Sequence, residues 1–282
     1  MTAGMPAGEW GAAFASASIP AMTVYAEVMV PRIFEPWGHV LLAELAVEPG
    51  EAVLDVACGP GSVTRLAAAR SGPTGRVTGC DVSPAMLMIA AGLGQVTGGA
   101  SIDYRRAPAD CLPVPDEDFD VVSCQQGLQF FPDRQAALAE MRRALRPGGR
   151  IGIAVWKHIE QSRPFAILET AIRTVAGAQI ADRYRTGPWG LPDTANLHTL
   201  LSDAGFADIT VTSHELPVTF EAGAEQLAGT LAASGVASEL QALPAQDKAR
   251  LRAVVAELSR PLQAAGGALR SHLAANLAIA RR

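Results

Sequence analysis

Between residues 48 and 156, strand-length apolar runs alternate with helix-length stretches, and this alternation limits the fold more than any other feature of the chain. "PGEAVLDVA" reads as a turn and a buried strand, "SVTRLAAAR" as the helix after it, and "RVTGCDVS" as a second strand. Ser83 and Pro84 make an N-cap and first-turn pair for a helix over "AMLMIAAGLG". "SIDYRRA" and "FDVVSC" are a third and a fourth strand. "DRQAALAEMRRALRPGG" is a helix closed by a Pro-Gly-Gly turn, and "RIGIAVW" is a fifth strand. Most of these strands are apolar on both faces, the pattern of a parallel sheet covered by helices on each side.

The flanks read differently. Residues 1–20 are small and Gly/Ala/Ser-rich, a loose arm, and the stretch up to Val47 reads as helical pieces broken at Pro31 and Pro36. After Trp156 come helices at about 164–179 and 193–204, a strand in "ADITVTSHEL", an Ala-rich helical stretch over about 222–266, and a last strand in "SHLAANLAIARR". The Ala-rich insertion is expected to cap the sheet edge. We divide the chain into an arm with cover helices (1–45), a ligand-binding core (46–156), and a C-terminal part of the same domain (157–282).

Charge and cysteine usage exclude several functions. With a net charge of −5 and no Lys/Arg run, the chain offers no footprint for nucleic acid. The N-terminus lacks a basic segment followed by an apolar core, and no run approaches the ~20 apolar residues of a membrane span. Cys58, Cys80, Cys111 and Cys124 are scattered, without metal-ligand spacing, so neither a zinc site nor a disulfide framework is expected. A reduced, cytoplasmic protein is the expectation, working as a monomer or as a homodimer.

"VLDVACGPGSVT" carries the chemistry. Gly59 and Gly61 leave a buried strand and open a helix, so free N–H groups face the crevice at the carboxyl edge of the sheet. A plain strand-to-helix turn would use the same glycines. However, Asp81 ends the next strand, where a carboxylate accepts the two hydroxyls of a ribose. A nicotinamide dinucleotide fits less well: Thr64 stands where its fingerprint has a third glycine, and Asp55 would repel a pyrophosphate. Asp55 suits a ligand that carries an ammonium group, and S-adenosylmethionine is such a ligand.

"VLDVACGPGSVT", "GCDVSPAML", "APADCLPVPDEDFDVVSCQQGLQFFPD" and "LRPGGRIGIAVW" together resemble the successive motifs of class I S-adenosylmethionine-dependent methyltransferases. They are most similar to the branch of ubiquinone/menaquinone-biosynthesis and secondary-metabolite enzymes acting on small molecules. The resemblance implies a Rossmann-like, seven-stranded, mostly parallel sheet with an antiparallel last strand. It implies that Asp55, Ala57, Gly59 and Gly61 surround the methionine half of the cofactor, with Ala57 standing where many members have glycine. It implies that Asp81 holds the ribose, with Val82 and Met86 near the adenine. Asp110 would meet the adenine amino group, Ala109 and Cys111 would present backbone there, and Gln125 would lie under the sulfonium.

Gln125, Gln126 and Gln129 cluster after the fourth strand. They are either solvated polar residues or amides that position cofactor and substrate without titrating. "CQQG" lacks the Asn/Asp-Pro-Pro-aromatic turn by which nucleobase methyltransferases resemble one another, and it lacks the acids of metal-dependent catechol enzymes, so no metal is expected. His158, two residues beyond the fifth strand, is either a solvated loop residue or a general base. Trp37 and Tyr25, on the cover helices, are either core or acceptor contacts. The reading is methyl transfer from S-adenosylmethionine to a small, fairly hydrophobic acceptor such as a phenol, quinol, polyketide or terpenoid. A related enzyme performing another reaction, such as cyclisation, and a non-catalytic S-adenosylmethionine-binding protein remain open.

Overall fold

The computed structural model describes residues 18–282, so most of the expected arm lies outside the described residues. Helix α1 (Ile19–Val24), a π-helical segment (Tyr25–Phe34) and α2 (Glu35–Glu44) follow one another without a break. The two prolines therefore do not split this stretch. Pro31 sits inside the wide π turns, and Pro36 falls in the first turn of α2, where a missing N–H costs no internal bond.

Seven strands form one sheet: β1 (Ala52–Val56), β2 (Arg76–Asp81), β3 (Ser101–Arg106), β4 (Phe119–Gln125), β5 (Leu145–Trp156), β6 (Ala207–Phe220) and β7 (Leu269–Arg281). Their order is β3-β2-β1-β4-β5-β7-β6. β7 is antiparallel to both of its neighbours, and the other six run one way. The order reverses between β1 and β4, which opens a crevice at their carboxyl ends. The Pro-Gly-Gly stretch lies within β5, where the register with β4 slips between Phe119 and Val121.

Between the strands run α3 (Ser62–Ser71), α4 (Pro84–Gly92), α5 (Arg134–Ala144), α6 (Arg163–Ala176), α7 (Ala178–Thr186) and α8 (Thr194–Asp203). The insertion before β7 holds α9 (Gly223–Gly229), α10 (Ala237–Ala242) and α11 (Ala245–Ser259). Ser83 caps α4 by accepting from Met86 N–H at 3.4 Å, and Asp133 caps α5 by accepting from Ala136 N–H at 2.9 Å. β1 is buried throughout. Its Val53 joins the core under α2 and α3, while Leu54 and Val56 join the core under α5 and α8.

The insertion does not lie along the sheet edge. α11 packs on α6, and residues 230–233 pack on α1 and the π-helical segment, so the insertion covers the carboxyl end of the sheet instead. Edge strand β6 stays largely exposed over its first half. The apolar residues of the insertion, among them Leu227, Leu231 and Val255, are buried in the same core as Trp156 and Phe165, and this holds the insertion over the site. Among the described residues no helix is long and apolar enough to cross a membrane.

Candidate active site

The loop leaving β1 is shaped by three left-handed residues: Ala57 (φ 57°), Gly59 (φ 54°) and Gly61 (φ 85°). A Cβ on Gly59 would meet nothing within 4 Å, so its bare backbone faces open space. A Cβ on Gly61 would collide with the Tyr104 hydroxyl, so packing fixes the second glycine. Ala57 and Gln126 (φ 54°) both hold a conformation that disfavours side chains, at a cost of order 1–3 kcal/mol each.

Asp81 ties this loop to the end of β2. One carboxylate oxygen accepts from Gly59 N–H and the other from Ser83 N–H, each at 2.8 Å. Burial raises its pKa, although the backbone N–H groups of Ser83, Gly59 and Val82 lower it. Tyr25 lies close by, and burial together with the Asp81 charge pushes its hydroxyl up as well.

Asp55 has a different setting from the one expected. It is 1% exposed, beneath the loop, and its oxygens accept from Thr64 Oγ1 at 2.7 Å and Ser123 Oγ at 2.8 Å. It therefore ties β1 to α3 and β4 and does not line a cavity. Burial outweighs these hydroxyl bonds and raises its pKa to about 6.

A cavity of about 340 Å³ opens at the reversal of strand order. Ala57 and Gly59 come from the β1 loop, Asp81, Val82 and Met86 from the β2 end and α4, and Ala109 and Asp110 from the loop after β3. Gln125, Gln126 and Tyr25 close it on the other side. Gln125 Nε2 donates to the Phe34 carbonyl at 2.8 Å, which ties the floor of the cavity to the π-helical segment, while its Oε1 is buried without a partner.

A second cavity adjoins the first and shares Tyr25, Gln126 and Phe130 with it. Its wall is aromatic: Phe34, Trp156, Phe165, Tyr184 and Trp189, with Thr230 and Ser234 arriving from the insertion. Trp189 is wedged between Phe165 (centroids 5.5 Å apart) and Tyr184 (5.6 Å). Of these side chains, none was singled out from the sequence. Phe34, Tyr184 and Trp189 follow no shared spacing, and only the position of Trp156 at the end of a central strand could have signalled it.

Several candidates lie elsewhere. His158 is exposed and lines a separate depression with Ile159, Arg185 and Gly190, because the chain turns away from the crevice after β5. Trp37 is buried in the core, edge-on to Trp156 with centroids 5.7 Å apart, and lines neither cavity. Cys111 is exposed outside both cavities. Gln129 is buried behind Gln126, in a turn held by Arg134, whose Nη2 donates to the Gln129 carbonyl at 3.0 Å.

Bare loop backbone, a carboxylate at the end of β2 and apolar walls of Val82, Met86 and Ala109 fit S-adenosylmethionine. The comparisons agree. The solved structures include phosphoethanolamine N-methyltransferase 2 of Haemonchus contortus in complex with phosphomonomethylethanolamine and S-adenosylhomocysteine. It has a TM-score of 0.59 at 18% identity, covering 94% of this chain and 57% of that one. A 4+2 cyclase, SpnF, gives a TM-score of 0.55 at 23% identity, covering 88% and 80%. At these identities the likeness is one of fold, that of S-adenosylmethionine-dependent methyltransferases.

Residues 19–221 match the model of the ubiE/COQ5 methyltransferase family, and the chain belongs to that family. It is 34% identical over 185 residues to the ubiquinone/menaquinone biosynthesis C-methyltransferase UbiE of Cupriavidus taiwanensis, covering 61% of this chain and 74% of that protein. An uncharacterized protein of Mycobacterium bovis is 38% identical over 129 residues, 46% of each chain. The chain is an enzyme that uses S-adenosylmethionine.

Proposed function

We propose that the enzyme methylates a small, fairly hydrophobic, oxygen-bearing acceptor of phenol, quinol, polyketide or terpenoid type, in secondary metabolism and in the cytoplasm. The observation that carries this reading is the shared wall: a glycine-and-carboxylate cavity and an aromatic cavity meet at Tyr25, Gln126 and Phe130. The first cavity takes the cofactor and the second takes the acceptor.

S-adenosylmethionine supplies an electrophilic methyl group on a sulfonium, a good leaving group. The chain's own residues bind, orient and exclude water. Asp81 would hold the ribose hydroxyls, Val82 and Met86 would pack near the adenine, and Gln125 would lie near the methionine half. Asp55 fixes the loop from below through Thr64 and Ser123. No His or Lys lines either cavity among the described residues, and alignment in the aromatic pocket would supply up to ~7–11 kcal/mol. Among the described residues no lysine or arginine lines either wall, which supports an acceptor without a phosphate over a phosphorylated one. The test is methyl-labelled cofactor incubated with a panel of phenols, quinols and terpenoids. Labelled product from an aromatic or terpenoid member supports the reading, and transfer only to phosphorylated acceptors overturns it.

A further inference from the structure

Gln126 and Gln129 carry an arrangement that alignment alone does not require. Gln129 Nε2 donates to Gln126 Oε1 at 3.2 Å, while Gln126 Nε2 and Gln129 Oε1 are buried with no partner among the described residues. Turning both amides over together preserves that bond count: Gln126 Nε2 then donates to Gln129 Oε1, and Gln126 Oε1 becomes the free atom. The pair can thus present a donor or an acceptor at Gln126 with the same internal bonding. Gln126 is 7% exposed and belongs to the walls of both cavities. Its left-handed backbone is held by its N–H donating to the Ala154 carbonyl at 2.8 Å.

We propose that Gln126, backed by Gln129, is a specificity-determining residue that binds the oxygen of an uncharged acceptor, taking a hydroxyl and a carbonyl equally well. The inference rests on the second cavity being the acceptor site. A carbonyl accepts from Nε2 as the pair stands, and a hydroxyl donates to Oε1 after the paired turn. A hydrocarbon leaves a buried amide unpaired, and an anion meets no Lys, Arg or His in either wall among the described residues.

The test is calorimetric binding of 1-indanone, 1-indanol and indane, one skeleton with a carbonyl, a hydroxyl or no oxygen, to the full chain saturated with S-adenosylhomocysteine. Indanone and indanol should bind within about threefold of each other and about tenfold more tightly than indane. Gln126→Met should bring all three within about twofold, with an unchanged circular-dichroism spectrum and urea midpoint reporting that the variant is folded. A tenfold preference for one oxygenated probe overturns the interchangeable amide. Indane binding as well as the others, or a preference that survives Gln126→Met, overturns the role of Gln126 while leaving the acceptor cavity intact. If no probe binds the loaded wild-type chain, the assignment of the second cavity fails with it. If Gln126→Met does not fold, Gln129→Met, which removes the amide paired with Gln126, should lose the equality of indanone and indanol, and an equality that survives it overturns the paired turn.

Discussion

The two cavities are built in opposite ways. Apart from Tyr25 and Ala137, the first is assembled from short stretches, 56–59, 81–86, 107–110 and 125–133, each following a strand of the parallel sheet. The second draws on single side chains as far apart as Tyr25 and Ser234, brought together only when the cover helices and the insertion pack over the sheet. A sheet edge forces loops into one crevice, so cofactor contacts can be local in sequence. An aromatic wall has no such template and exists only as tertiary packing.

The strongest way to break this comparison is Trp156→Ala. Removing a buried Trp from the end of β5 should cost ~3–5 kcal/mol of stability, seen in urea unfolding, because the aromatic wall is also core. Affinity for S-adenosylhomocysteine should change only a few-fold in the folded variant. A tenfold fall would mean that the two cavities are not separable.

Asp55→Asn probes the loop from below. The folded-state pKa of Asp55 lies near 6 and the ordinary value near 3.8, so between these pH values the folded chain holds a proton that the unfolded chain has released. Its contribution is therefore present at low pH and lost as pH rises from about 4 to about 6, by ~3 kcal/mol. Asn cannot ionise, so the variant should lack that slope while binding S-adenosylhomocysteine within a few-fold of wild type. Parallel pH–stability curves would show that burial does not govern this carboxylate.

Asp81→Ala tests the cavity itself. Charge-assisted bonds of ~1.5–3 kcal/mol each at most are removed, so calorimetry should show at least a tenfold loss of cofactor affinity. Unchanged affinity would move the ribose contact elsewhere. The smallest effect is expected from His158→Ala, which should leave the rate of methyl transfer within a few-fold from pH 6 to pH 9. A loss of 10²-fold or more that shrinks at high pH would restore it as a general base.

How far the sequence could be read follows the same division. The five parallel strands were legible because apolar runs and turns repeat along the chain, and the Ser83 cap because Ser-Pro opens a helix. The acid at the end of β2 and the bare loop were legible because their chemistry is local. The setting of Asp55 was not. Its charge suggested a ligand, but its partners are Thr64, nine residues on, and Ser123, 68 residues on, and only the fold sets them around it. His158 follows β5 closely enough to suggest the crevice, yet sequence distance says nothing about which way a loop turns. Tyr184 lay hidden because a helix surface and a cavity wall use the same residues, and Trp189 because it sits in the turn beyond α7, where no spacing marks it.

The π-helical segment has a consequence for how such a pocket can vary. A helix closed by i→i+5 bonds carries an extra residue per turn, and this lets Tyr25 stack on Phe34, centroids 4.9 Å apart, along one side of the second cavity. Loss of a single residue between them would rotate one against the other, since one residue of an α-helix is worth about 100°. The stack would be undone and Tyr25 swung off the passage, with no codon in the glycine loop touched. A one-residue deletion in the cover would thus reshape the wall that the two cavities share at Tyr25 without changing any strand of the sheet.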